Sequence, residues 1–209
     1  MIGMENKMTN PFDLKITCVR LTYSDKMKES LKYKREYEEI EILIRCQERN
    51  NIICNIACEL KDNTLVLFHY NEHGENLYDQ ICKNVKEKNL SKEVILCDGS
   101  EWNLQQQLPM NDENIILASH PQVYNEKFEI PFIDNIVFAV PWKSEIINSH
   151  SIGEGLSLKV GKTHCHLYDL MDDLSTEEWG SSFARRAVER WKVYKEREDK
   201  PEAGRIKVN

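Results

Sequence analysis

The chain has no run of about 18 apolar residues, so it contains no candidate membrane-spanning helix. It has seven cysteines and no C-x-x-C pair. An odd count in mostly apolar segments reads as buried, reduced thiols rather than a disulfide framework or a zinc ribbon. Excess positive charge is also missing. The formal net charge is −7, which argues against an indiscriminate nucleic-acid binder, because such a protein must displace counterions from phosphates along a broad basic surface. No G-x-x-x-x-G-K-[ST] occurs, so the sequence lacks the loop whose amides and lysine cradle nucleotide phosphates. The first residues, MIGMENKMTNPFD, lack the apolar stretch of a signal peptide. The expectation is an intracellular, cytoplasmic protein.

What is present is a core. Hydrophobic residues make up 41% of 209, enough for one domain or one domain with an extension. Residues 14–23, LKITCVRLTY, alternate as a strand does, and residues 24–34 read as a polar loop. Residues 35–60 carry a helical period, with Tyr37, Ile40 and Ile44 on one face and a break at Asn50–Asn51. NTLVLFHY (63–70) is a continuous apolar run, the mark of a strand covered on both faces. A helix follows, with Asn71 as N-cap and Leu77, Ile81 and Val85 at fourfold spacing. Further strands are expected at 93–97, 114–119, 135–140 and 164–170. Short helices are expected at 101–110 and 143–150, the former a helix or a loop, and a last helix at 176–197. That helix presents Trp179, Phe183, Val188, Trp191 and Tyr194 on one side. Short apolar strands alternating with helices imply a mainly parallel α/β sheet with right-handed crossovers.

The order and wording of these segments resemble the second RecA-like domain of the phage UvsW-type superfamily 2 helicases. LKITCVRLTY looks like the strand entering that domain, and YEEIEILIRCQERNNIICNIACEL like its first helical pair. TLVLFHYNEHGENLYDQI is similar to the motif IV region, NIILAS to the strand before motif V. SIGEGLSLKVGKTHCHLYDLMDDL is similar to motif VI, the closing strand and its acidic end. The resemblance implies a single RecA-like, three-layer domain of the P-loop NTPase type with a C-terminal helical extension. Its implied divisions are a flexible N-terminus (1–11), the RecA-like domain (12–175), a C-terminal helix (176–200) and a mobile tail (201–209).

Against that family the departures are specific. The motif VI frame Q-x-x-G-R-x-x-R reads here His150-x-x-Gly153-Glu154-x-x-Ser157. The family's arginines stabilise charge on the transferring phosphoryl group. Glu154 would repel that charge, and Ser157 cannot replace a guanidinium. The Ser/Thr-Gly pair of motif V is absent from HPQVYNEKFEIPF. The resemblance therefore implies a helicase-derived module without ATPase activity of its own and with no cofactor. Its partners are expected to be branched or single-stranded nucleic acid, or a replication, recombination or defence protein. The alternative is one half of a split helicase that needs an ATP-binding partner chain.

Candidate nucleic-acid contacts follow. His73 and Gly74 open a helix whose amides suit an anion, the alternative being Gly74 as a packing residue and His73 as a surface residue. Ser119 and His120 end a strand, where ligands of open α/β sheets sit. Arg185, Arg186 and Arg190 lie on the last helix. From Arg185 to Lys207 nine Lys/Arg stand against five Asp/Glu, so this end is basic on an acidic chain. Two metal readings are weaker. Cys54 and Cys58 share a helix face and His164 and His166 a strand face, at spacings that suit no usual zinc pattern. Asp169, Asp172 and Asp173 read as a strand end and turn rather than a carboxylate metal cluster.

Overall fold

The computed structural model describes residues 13–97, 113–119, 133–139, 164–196 and 202–208. Within them the elements run β1 (Asp13–Thr22), α1 (Asp25–Leu31), α2 (Glu36–Arg45), α3 (Gln47–Glu59), β2 (Thr64–Phe68), α4 (Asn71–Glu87) and β3 (Glu93–Leu96). They continue with β4 (Asn114–Ser119), β5 (Asn135–Phe138), β6 (His164–Asp173), α5 (Ser182–Glu196) and β7 (Glu202–Lys207). The described strands form one sheet in the order β3-β4-β2-β5-β6-β1-β7, and every pairing is parallel.

The central strands are covered on both faces, as their apolar runs require. β2, β4 and β5 are buried at every position. Alternation sorts the longer strands. Leu14, Ile16 and Cys18 of β1 join Cys165, Leu167 and Met171 of β6 on one face, where Ala187 and Tyr194 of α5 complete the core. Val19, Leu21 and Leu170 face the other way, against Leu31, Leu43, Ile53, Leu77 and Ile81 of the first four helices. The result is three layers, α1 to α4 on one face of the sheet and α5 on the other. At the amino end, the Asn63 side-chain oxygen accepts from the Asn114 backbone N–H at 3.0 Å. The Asn63 carbonyl accepts from Asp134 and Asn135, which ties β4 and β5 to the start of β2.

Five local expectations need correction. Residues 24–34 are not all loop: Ser24 caps α1, its hydroxyl accepting from Met27 N–H at 3.4 Å, and Asp25 sits in the first turn. The apolar side of α1 is short and was hidden among lysines and glutamates. The break in the helical pair falls at extended Cys46, not at Asn50–Asn51. Asn50 lies inside α3 and donates its side-chain amide to the Ile44 carbonyl, 2.9 Å away, so it satisfies the end of α2. The N-cap of α4 is Tyr70 rather than Asn71. The last helix begins at Ser182, with the Ser181 hydroxyl accepting from Ala184 N–H, so Trp179 precedes it and Val188 faces solvent. Finally, the tail contains β7, an edge strand pairing with β1 from Thr17↔Glu202 to Thr22↔Lys207. Val208 after it is buried and donates its N–H to the Thr22 carbonyl at 2.7 Å. The segments expected to be helical at 101–110 and 143–150 lie outside the described residues.

Candidate functional site at the carboxyl end of the sheet

Ligands of parallel α/β sheets sit beyond the carboxyl ends of the strands, and here that edge carries a group of buried polar residues. Arg49 of α3 is fully buried and grips Asp172, near the end of β6. Its Nε donates to Oδ1 at 2.8 Å and one Nη to Oδ2 at 3.0 Å. The same Nη donates to the Ala139 carbonyl, just past β5, at 2.6 Å. The Tyr23 hydroxyl, just past β1, donates to Asp172 as well. Burial first, and then the Asp172 charge, hold the Tyr23 phenol well above its usual range. One arginine thus ties together the ends of β1, β5 and β6. A buried carboxylate keeps its charge only with such partners.

Next to this group lies His73, completely buried. Its Nε2 lies 3.0 Å from Asn50 Oδ1. The Asn50 amide nitrogen is already donating to Ile44, so Oδ1 must be the acceptor, and Nε2 carries the ring's proton. Burial, with the Arg49 charge added, pulls the imidazole down to about 3. His73 is therefore neutral, with Nδ1 as a lone-pair acceptor. Neither His73 Nδ1 nor Arg49 Nη1 finds a protein partner among the described residues. Gly74 has a packing reason: a Cβ there would come within 2.5 Å of the Phe68 ring. Its N–H is also spent inside the helix, on the Tyr70 carbonyl. His73 and Gly74 thus serve the junction of β2 and α4, and His73 is not the surface residue of the alternative reading.

A second buried ion pair lies on the opposite face of β6. Arg190 of α5 donates Nε and Nη2 to Asp169 at 2.7 and 3.0 Å, and the Tyr194 hydroxyl donates to the same carboxylate at 2.8 Å. Arg190, expected to meet nucleic acid, is 0% exposed and unavailable for it. Arg186 bridges Glu36 at 2.5 Å, whereas Arg185 faces solvent. Ser119 is buried at the end of β4. His120 and the motif VI frame (His150, Gly153, Glu154, Ser157) lie outside the described residues.

The acidic triplet takes a different arginine at each position, since Asp173 pairs with Arg20 at 2.5 Å. Among the described residues no group of three or more His, Cys, Asp or Glu is arranged to hold a metal ion. Cys54 and Cys58 are buried in α3, while His164 is exposed at the start of β6. Burial pushes the Cys18 and Cys54 thiols up to about 12, which leaves them poor nucleophiles at neutral pH. A cavity of about 430 Å³ opens between β1, β6, α5 and β7. Cys18, Met171, Ala184, Ala187 and Trp191 dominate its lining, a surface unsuited to a phosphate.

The buried ions were missed in the sequence, although a signal exists. Phe183, Ala187, Arg190 and Tyr194 share one helical stripe, and Cys165, Leu167, Asp169 and Met171 one strand face. A charge in phase with apolar neighbours marks a buried pair when a charge of opposite sign is equally in phase elsewhere.

No protein-family model matches the chain. Over 181 residues it is 29% identical to the ATP-dependent DNA helicase UvsW of Enterobacteria phage T4, covering 84% of this chain and 35% of that protein. The chain is homologous to the C-terminal part of UvsW. It spans about a third of that relative's length. The crystal structure of T4 UvsW superposes with a TM-score of 0.77 at 24% identity, over 94% of this chain and 42% of that one. The C-terminal domain of the DEAD-box protein Dbp5 matches with a TM-score of 0.50 at 8% identity, over 95% of this chain and 92% of that one. An ATP-dependent Type ISP restriction-modification enzyme, LlaBIII, solved bound to DNA, matches with a TM-score of 0.52 at 13% identity, over 95% and 16%. The fold is that of a RecA-like helicase C-terminal domain.

Proposed function

We propose that this chain is a helicase-derived module with no ATPase chemistry of its own, acting by binding branched or single-stranded nucleic acid. The observation that carries this reading is the motif VI frame, where Glu154 and Ser157 stand at the two arginine positions of a domain homologous to UvsW. Two features add support. Arg49, Arg190 and Arg20 are each committed to a carboxylate of β6, so none of them replaces the missing guanidinium. UvsW is a DNA helicase by name, and the LlaBIII structure holds DNA, so the scaffold is one used on nucleic acid. A replication, recombination or defence protein is the other class of partner.

The test is turnover: the purified chain, assayed for ATP hydrolysis with and without single-stranded and forked DNA, is expected to stay at the buffer rate. Hydrolysis above that rate, abolished by a substitution in the chain, overturns the reading. The second reading, half of a split helicase, is favoured by the chain's spanning only 35% of UvsW. It expects ATPase activity when a P-loop partner domain is added to the Glu154→Arg/Ser157→Arg variant. The module reading expects none from the natural chain or from that variant under the same conditions.

A further inference from the structure

Four tyrosines stand at the extremes of burial. Tyr23 and Tyr194 are buried, with their hydroxyls on Asp172 and Asp169. Tyr33 and Tyr37 do the opposite, at 76% and 59% exposed. They flank the junction of α1 and α2, in the stretch Lys32-Tyr33-Lys34-Arg35-Glu36-Tyr37.

Tyr33 is also in an awkward place. It follows the C-cap of α1 with a φ of 64°, while the next residue's N–H returns to the Leu31 carbonyl at 3.0 Å. This is the left-handed position after a helix that glycine fills without steric conflict and a bulky side chain does not. The Cβ causes the conflict, and the ring it carries packs little against the protein to offset it. Among the described residues the ring meets the Lys32 ammonium, 5.5 Å from the centroid.

The surroundings select the occupant. An interface anchor for a protein partner sits within an apolar patch that excludes water. Along the chain the two tyrosines are interleaved with charged residues: Lys32, Lys34, Arg35, Glu36 and Glu38. A single-stranded nucleic acid needs open ring faces for its bases and nearby cations for its phosphates. Arg35, between the two tyrosines in sequence, is exposed. The first turn of α5 is joined to α2 by the Arg186–Glu36 bridge and by the Ser182 hydroxyl on Glu39 at 2.8 Å. That brings the exposed Arg185 to the same end of the molecule. Duplex DNA keeps its base faces stacked inside and has no use for such rings.

We infer that Tyr33 and Tyr37, with Arg35 and Arg185, form a stacking platform for single-stranded nucleic acid. The inference rests on the nucleic-acid reading above and gives it an address. The test is fluorescence anisotropy with labelled single-stranded oligothymidylate at low salt, on the full chain. Three proteins are compared: the natural chain, Tyr33→Gly/Tyr37→Ala, and Tyr33→Phe/Tyr37→Phe. The expected result is binding by the natural chain and the Phe pair, and a loss of about tenfold or more in the Gly/Ala pair. The single variant Tyr33→Gly should meanwhile melt no lower than the natural chain, since glycine relieves the backbone. A Gly/Ala pair that binds as tightly as the natural chain overturns the platform and leaves the nucleic-acid reading intact. No binding by the natural chain overturns both.

Discussion

At the scale of single residues, the fold keeps four ionised groups out of water: Arg49 with Asp172 and Arg190 with Asp169. Deleting one member of such a pair commonly costs about 3–5 kcal/mol, because the other is left buried and uncompensated. His73 is the buried group with a pH signature. Its folded-state value of about 3 lies below the ordinary 6.5, so the unfolded chain takes up a proton that the native ring refuses. Its contribution is complete above pH 6.5 and is lost as pH falls toward 3, at up to ~1.4 kcal/mol per pH unit. His166, also held low by burial and by Lys15, acts with the same sign. Urea unfolding between pH 7 and pH 4 should therefore show stability falling with acid, and His73→Gln should flatten that fall. An unchanged slope in the variant would mean the ring titrates normally. Neither buried pair was read from the sequence, because a lone charge on an apolar face looks like an error in the phase until its partner is seen.

At the scale of elements, legibility followed hydrophobicity. β2, β4 and β5 announced themselves as unbroken apolar runs, and the fourfold spacing of Leu77, Ile81 and Val85 marked α4. The elements that escaped are those whose stability comes from neighbours rather than from their own pattern. α1 buries little beyond Leu31, and β7 is EAGRIK, exposed at every position and held by backbone bonds to β1. Tyr37 shares a helical period with Ile40 and Ile44, yet it is exposed, whereas Glu39, Leu43 and Ile44 are buried. The contact between β2 and α4 gives a direct check. Gly74→Ala would push a methyl into the Phe68 ring and should cost about 1–3 kcal/mol by overpacking. Gly74→Ala combined with Phe68→Leu should recover part of it, read as a rise in the thermal midpoint over the single variant. If Gly74→Ala alone is neutral, the close approach is not what selects glycine.

At the scale of the whole molecule, the fold class could be read because many segments agreed in order, while the site could not. Of its proposed ligand-facing residues, Tyr33 lies in a polar stretch that carries no periodic signal, and Tyr37 sits in a helical period that does not reveal its exposure. The charge balance sets an expectation of its own. A chain of net charge −7 that meets a strand through a few exposed cations should bind with a shallow salt dependence. Each phosphate contact to a single strand contributes about −0.7 to the slope of log K against log salt. Two or three contacts predict a slope of about −1.4 to −2.1 on titration from low to physiological salt. A slope several times steeper would show that a broad basic surface lies elsewhere in the chain.

The register of β1 has a consequence for how the chain reaches this state. Its neighbours are β6, which begins at His164, and β7, which begins at Glu202. During synthesis β1 waits through about 150 residues of translation before the first of its partners exists. Helices α1 to α4 and β2 to β4 can assemble from local contacts in that interval, but the edge of β1 stays open. Long-range parallel pairing of this kind is the slow step of α/β assembly and the period of greatest exposure to aggregation. A nascent chain stalled before residue 164 should thus be bound by chaperones through LKITCVRL, and should release them once β6 has emerged.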